Sequence, residues 1–396
     1  MSESPCIESR KRNVAVVTVG RSDYGIYLPI LRVLTEEPQL QLRVMAASAH
    51  LSDTFGRTVD RIEADGFPVS DRVEMPVEDD SAWGTAHAMA LGVEGFAAAY
   101  KRARPDLLLV LGDRFDMFAA AVAAAPFCIP LAHIHGGEIT EGAMDEQFRH
   151  AMTKLSHLHF ASTQTYADRL VRMGEEPWRV TVSGAPALDH LRTMNLMTLD
   201  ELQHSLDMSL EPAPLLATFH PATLEEAGAA EQFAELLAAL HELGRPVVFT
   251  YPNVDPGHRQ IIRAIDDYVD AHRSSRCFKE LGTRRYFSSM RFAAAMIGNS
   301  SSGIIEAASF KLPVVNVGSR QRGRVRAANV VDVECRRKDL SDALRRVVDP
   351  AFKNGLKSLV NPYGDGQAAE RIVRVLREIP LDRRLLQKRF QDSTET

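Results

Sequence analysis

The sequence predicts an α/β protein made of two doubly wound, Rossmann-like domains of similar size. Three observations lead there. Short β-branched runs alternate with helical patterns along the whole chain, and such alternation means parallel sheets covered on both faces. The 396 residues exceed what one hydrophobic core usually holds, so two domains of ordinary size are expected. Small and polar loops follow the strands in both halves, as in sheets that bind ligands beyond their carboxyl ends.

The apolar, β-branched runs predict strands at Val14–Val19, Leu42–Ala47, Leu107–Leu111, Cys128–Ile134 and Val180–Val182 in the first half. The second half repeats the pattern at Leu215–Thr218, Val247–Thr250, Met296–Ile297, Val314–Val317 and Val330–Val333. Helical periodicity falls between them at Ile26–Thr35, Met117–Ala124, Glu225–Glu242, Gly257–His272 and Gly303–Ser309. A polar helical stretch at Asp200–Asp207 leads into the Pro-rich segment Glu211–Leu215, which marks the expected boundary between domains 1–210 and 211–365. The ligand is expected in the cleft between the two.

Composition narrows the function classes. A net charge of -5 with scattered basic residues leaves no footprint for nucleic acid or anionic membrane. No apolar run reaches the roughly 18 residues of a membrane span, and the first residues lack the apolar region of a signal peptide. Cys6, Cys128, Cys277 and Cys335 are far apart in the chain and form no CxxC pair. Neither a disulfide framework nor a zinc site is therefore expected, and a reducing cytoplasm fits.

The segments after the strands carry the chemistry: GRSD from Gly20, GDRFD from Gly112, HIHGGE from His133, SGAP from Ser183, HP at His220, YPN from Tyr251, GNSSSG from Gly298 and GSRQRGR from Gly318. The richest is His133–His150, where Glu138, Glu141, Asp145 and Glu146 could act as general acids and bases. A solvated loop opening a helix, with Asp145 and Glu146 favouring its dipole, is the plainer alternative. Asp113 stands at a strand end as a candidate acid or base, or as a helix cap. Arg21 and Asp23 either contact a ligand or form a surface turn. His220 is a candidate site residue or a satisfied buried histidine. Ser301, Ser302 and Gly303 precede a helix and form the best phosphate candidate, with simple capping by a serine as the plainer alternative. Arg320, Arg322, Arg324 and Arg326 could pair a diphosphate or form a solvated basic loop. His87, His157, His159 and His190 lack a partner pattern and are expected to be structural. His133 and His135, two apart on a strand, lack a third ligand for a metal. With no GxxxxGK[ST] and no GxGxxG after the first strand, nicotinamide or ATP chemistry is disfavoured, and no cofactor is expected.

Together these motifs, with LGDRFD, HIHGGEITEGAMDE, RHAMTKLSHLHF, FHP, GNSSSGIIEA and VGSRQRGRV in that order, strongly resemble the hydrolysing UDP-N-acetylglucosamine 2-epimerases over nearly the whole chain. The resemblance implies a GT-B-type fold, with residues 366–396 returning as a C-terminal helix and tail to the first domain, and a homo-oligomer. It implies the reaction of UDP-GlcNAc with water to give N-acetylmannosamine and UDP, through elimination to a 2-acetamidoglucal and its hydration, for sialic-type acid synthesis. It implies catalytic roles for Asp113, Asp145 and His220, and substrate or phosphate contacts from Arg21 and Arg149. Ser301, Ser302, Gly303 and Glu306 match the nucleotide pocket, and Arg320 faces the substrate more weakly. Many relatives carry glutamate where this chain has His135. Glu138, slightly preferred, or His135 itself then takes over that proton transfer. A related UDP-diacetamido-trideoxyhexose is the alternative substrate. A non-hydrolysing epimerase, a GT-B glycosyltransferase and an inactive nucleotide-sugar sensor are the rival functions.

Overall fold

The computed structural model describes residues 10–76, 79, 81–140, 144–221, 228–252 and 258–392. Cys6, Glu141, Asn253 and the expected helix starts at Glu225 and Gly257 lie outside the described residues.

The chain divides into two compact units, one of residues 1–138, 144–190 and 364–396, the other of residues 139–143 and 191–363. The first contains strands β1 (Arg12–Thr18), β2 (Leu40–Ala47), β3 (Val69–Val73), β4 (Leu107–Leu111), β5 (Leu131–Ile134), β6 (Leu158–Ala161) and β7 (Val180–Val182). They form one sheet in the order β3-β2-β1-β4-β5-β6-β7, and every pairing is parallel. The second contains β8 (Leu215–Thr218), β9 (Val247–Thr250), β10 (Arg276–Phe278), β11 (Ala295–Gly298), β12 (Val314–Val317) and β13 (Val330–Val333). Their order is β10-β9-β8-β11-β12-β13, again all parallel.

Both orders reverse direction once, between β1 and β4 and between β8 and β11. Ligands of doubly wound sheets gather beyond the carboxyl ends at such reversals. The central strands are apolar without alternation because helices cover both faces: β4, β5, β8 and β11 are buried at every residue.

Several elements differ from expectation. The strand expected from Cys128 begins only at Leu131, because Ala125–Phe127 form a 3-10 turn ending in a left-handed Cys128. Strands β3, β6 and β10 and the helix Ala82–Arg102 were not expected. The boundary falls at His190/Leu191, not at 210/211, because Leu202, Leu206, Met208 and Leu210 pack with Leu216 and Val248 of the second unit. No described helix is long and apolar enough to cross a membrane.

The helix Ala368–Glu378 belongs to the first unit and packs Ala369, Ile372, Val373 and Leu376 into its core. Both of its ends are capped by that unit. Asp189 accepts from the backbone N–H groups of Ala368 and Ala369 at 3.0 and 2.6 Å. Arg12 donates to the carbonyls of Leu376 and Ile379 at 3.0 and 2.7 Å. These are the orphan groups any helix end must satisfy.

Candidate active site

At the first reversal, the helix Arg21–Glu36 starts directly after β1, so the GRSD segment is a helix N-terminus. Asp23 is buried and accepts three hydrogen bonds: from Thr18 Oγ1 at 2.6 Å, Val19 N at 2.9 Å and Gly20 N at 2.7 Å. Burial pushes its carboxyl up to about 6, with the bonds from Thr18 and Val19 working against the rise. Asp23 thus folds the turn, while Arg21 beside it is exposed.

Across the reversal, Asp113 does not cap the next helix; Arg114 holds that position. Asp113 instead pairs with Arg149, which is buried on the helix Asp145–Leu155. The second guanidinium nitrogen of Arg149 donates to the His135 carbonyl at 3.0 Å. Arg149 therefore ties the loop after β4 to the loop after β5, a fixed fork no flexible ammonium would match. Asp145 lies half-buried at the start of the same helix. Burial and the nearby charge of Asp113 raise its carboxyl to about 6, against the pull of Arg114 and Arg149. A carboxyl raised in this way is suited to proton transfer near neutral pH.

His133 and His135 do not share a strand. His133 ends inside β5, and its Nε2 lies 2.8 Å from the Gly112 carbonyl. Burial holds its imidazole neutral, down to about 3, so the ring donates through Nε2 and steadies the peptide preceding Asp113. His135 lies beyond the strand with a φ of 65°. Its Nδ1 sits 2.6 Å from Glu138 Oε1, and Ser162 Oγ donates to that same oxygen at 2.7 Å. The histidines left as structural have partners too. His190 bonds the Gly25 carbonyl, and His159 pairs with buried Glu175.

At the second reversal, β8 runs into buried His220 and β11 into Asn299. The Asn299 amide grips the His220 backbone at both polar groups, accepting from its N–H at 2.7 Å and donating to its carbonyl at 2.8 Å. The strands approach so closely that a Cβ on Gly298 would lie 1.8 Å from the Thr218 carbonyl oxygen. Only glycine fits there. Burial, and then the charge of Arg320, lower the His220 imidazole to about 3, so it is neutral. Arg320 and Gln321 both donate to the Asn299 carbonyl, at 3.0 and 2.9 Å. Ser300 caps the short helix Ser301–Ile305 by accepting from Ser302 N, which leaves Ser301 and Ser302 half-buried in its first turn. Tyr286 is half-buried, and burial, joined by the charge of Glu306, pushes its phenol up to about 12. Of the arginine cluster, Arg326 is paired with Asp332 at 2.6 Å, while Arg322 is exposed.

Asn299, Ser162 and Arg114 were missed by sequence reading. Asn299 sat inside a recognised motif, but its clamp on His220 bridges two strands far apart in sequence. Ser162 follows a strand that was itself unforeseen.

The sequence profile of the UDP-N-acetylglucosamine 2-epimerase family matches residues 32–377. This chain belongs to that family. Within it, the chain is 37% identical to the UDP-N,N'-diacetylbacillosamine 2-epimerase (hydrolyzing) of Legionella pneumophila, covering 95% of this chain and 98% of the relative. It is 34% identical to the GDP/UDP-N,N'-diacetylbacillosamine 2-epimerase (hydrolyzing) of Campylobacter jejuni, over 96% and 99% of the two chains. The UDP-GlcNAc 2-epimerase of Neisseria meningitidis, solved with UDP-GlcNAc bound, superposes with a TM-score of 0.79 at 18% identity, covering 92% of this chain and 99% of its own. The family member described here is accordingly a hydrolysing nucleotide-sugar 2-epimerase of GT-B-like fold.

Proposed function

We propose that this enzyme hydrolyses a UDP-linked 2,4-diacetamido-trideoxyhexose with inversion at C2, releasing UDP and the free epimeric sugar. One observation carries the choice of substrate. Two relatives, 37% and 34% identical and each matched over nearly its full length, are both named for diacetylbacillosamine, whereas the 31% identical polysialic acid biosynthesis protein P7 of Escherichia coli stands further off. UDP-GlcNAc, the substrate first expected, becomes the comparison.

The reaction demands four things: a base for a weakly acidic C2 proton, stabilisation of the departing diphosphate, a proton donor to C2 and an activated water. The acids and histidines after β4 and β5 suit the proton transfers on the sugar. Asp145, its carboxyl raised to about 6, suits the donor, with Asp113 beside it. The second unit suits the nucleotide: Ser301, Ser302 and Gly303 offer hydroxyls and backbone N–H groups, Glu306 a carboxylate for ribose hydroxyls, and Arg320 positive charge. Neutral His220 can hydrogen-bond without adding charge. A homo-oligomer and a place in legionaminic-type acid synthesis belong to the same reading.

Following products by NMR from the UDP-diacetamido sugar, its GDP-linked counterpart and UDP-GlcNAc tests it. UDP and the free C2-inverted diacetamido sugar are expected, formed fastest from the first substrate. Preferential turnover of UDP-GlcNAc would overturn the substrate. Return of an epimeric nucleotide sugar without free sugar would overturn hydrolysis.

A further inference from the structure

The loop after β5 contains two candidates for one proton transfer, and its geometry separates them. Glu138 is only 2% exposed, and its Oε1 accepts from both His135 Nδ1 and Ser162 Oγ. A base must come within hydrogen-bond reach of the proton it removes. A carboxylate this enclosed, its Oε1 held by two donors of its own chain, is worse placed to meet a sugar carbon than His135, which is 7% exposed. With Nδ1 turned to the Glu138 carboxyl, Nε2 is the ring nitrogen that can take a proton.

The backbone supports the same division. His135 holds the left-handed conformation at φ 65°, which is unfavourable for a residue with a Cβ. The surroundings fix it there: His135 N donates to the Phe160 carbonyl at 3.1 Å, and Arg149 donates to the His135 carbonyl. Strain kept at a strand end beside a paired carboxylate and arginine is a mark of function.

We infer that His135 takes the C2 proton, with Glu138 and Ser162 acting through it as positioning residues. The inference rests on the proposed function and assigns a role within it. As the C1–oxygen bond to UDP breaks, the C2–H electron pair becomes the C1–C2 double bond and the proton passes to Nε2. Glu138 stabilises the imidazolium, which then returns its proton to water. The charged groups around His135 are Glu138 on its own loop, Arg149, which donates to the His135 carbonyl and pairs with Asp113 after β4, and Arg169, which donates to the Gly137 carbonyl; Asp145 lies beyond, near Asp113 and Arg149. His133 on β5 is neutral.

The experiment measures UDP release against pH for the full chain and its variants, with folding checked by thermal melting. His135→Gln should lower kcat about 10²-fold or more with little change in KM. Glu138→Gln should cost about 10-fold and move the acid limb of kcat/KM to lower pH, because the carboxylate no longer favours the imidazolium. In the His135→Gln background, Glu138→Gln should cost nothing further. A merely structural Glu138 would leave the limb in place and cost the same in both backgrounds, which overturns the inference. So does a Glu138→Gln loss larger than that of His135→Gln. Should His135→Gln fail to fold, the limb of Glu138→Gln decides alone. Wild-type turnover undiminished by His135→Gln sinks this inference and leaves the proposed function standing. A wild type inert on every sugar of the panel sinks the function, and the inference with it.

Discussion

The two reversals share a topology and differ in chemistry. Around β1 and β4 the groups are ionisable and interlocked: Asp23, Asp113, Arg149 and Asp145, two of them with carboxyls raised to about 6. Around β8 and β11 the groups are mostly neutral and fixed through the backbone: His220 held neutral, Asn299 clamping it, serines opening a short helix, and arginine at the edge. Proton transfer needs groups whose charge changes near the working pH. Holding a diphosphate needs donors and charge that do not change. One fold supplies both because a strand end specifies position and leaves the side chain open.

The largest expected effect tests that contrast. Asp145→Asn should lower kcat about 10²- to 10⁴-fold while UDP binding, followed by calorimetry, stays close to wild type. If Asp145 donates its proton, wild-type activity declines as pH rises through about 6, and the variant lacks that limb. Activity rising through the same range would make Asp145 a base and reverse the assignment.

On the other side, Asn299→Ala removes both hydrogen bonds to the His220 backbone. It should weaken kcat/KM about 10-fold, the worth of one or two such bonds, without moving either limb, because His220 is neutral down to about 3. A shifted limb would show that the second reversal takes part in proton transfer after all, and the contrast would be lost.

The strand ends were legible because buried parallel strands are uniform apolar runs and the polar residues after them stand out. The misses share a cause: tertiary contacts overrode local pattern. The helix Ala82–Arg102 contains Gly84, Gly92 and Gly95, which lower its propensity. Yet a Cβ at Gly92 or Gly95 would lie 2.6 Å from Met75 or Val73, so glycine permits close packing there. Strand β6 carries His159, whose burial depends on Glu175 far along the chain. In the site, residue types were readable and pairings were not. Nothing local says that Arg149 holds Asp113, or that Asp23 is a cap.

Asp23 separates a raised carboxyl that folds the chain from one that serves chemistry. Asp23→Asn turns an amide N–H₂ toward donors and should destabilise by about 1–3 kcal/mol, as unmatched buried groups do. Its folded value lies above the ordinary one, so its contribution is full at low pH and is lost as pH rises from 3.8 to about 6. The deficit of the variant in denaturant melts should therefore shrink over that window. A deficit that grows instead would mean the carboxylate form is the one the fold prefers.

The smallest effect lies away from both reversals, at the C-terminal tail. Lys388 reaches Glu175 at 2.7 Å, where Lys154 and His159 also bond. Burial opposes ionisation of Glu175, but the bonds from His159, Lys154 and Lys388 hold its carboxyl down to about 2. A depressed carboxyl stabilises above its ordinary value of 4.5 and loses that contribution as pH falls towards about 2. Lys388→Met leaves two of the three donors, so a loss of about 1 kcal/mol is expected at neutral pH, smaller still in acid, with kcat unchanged. Were kcat to fall while the fold stayed intact, this network would communicate with His133, the neighbour of His159 across β5 and β6. The proton-transfer face would then extend well behind the strand ends that define it.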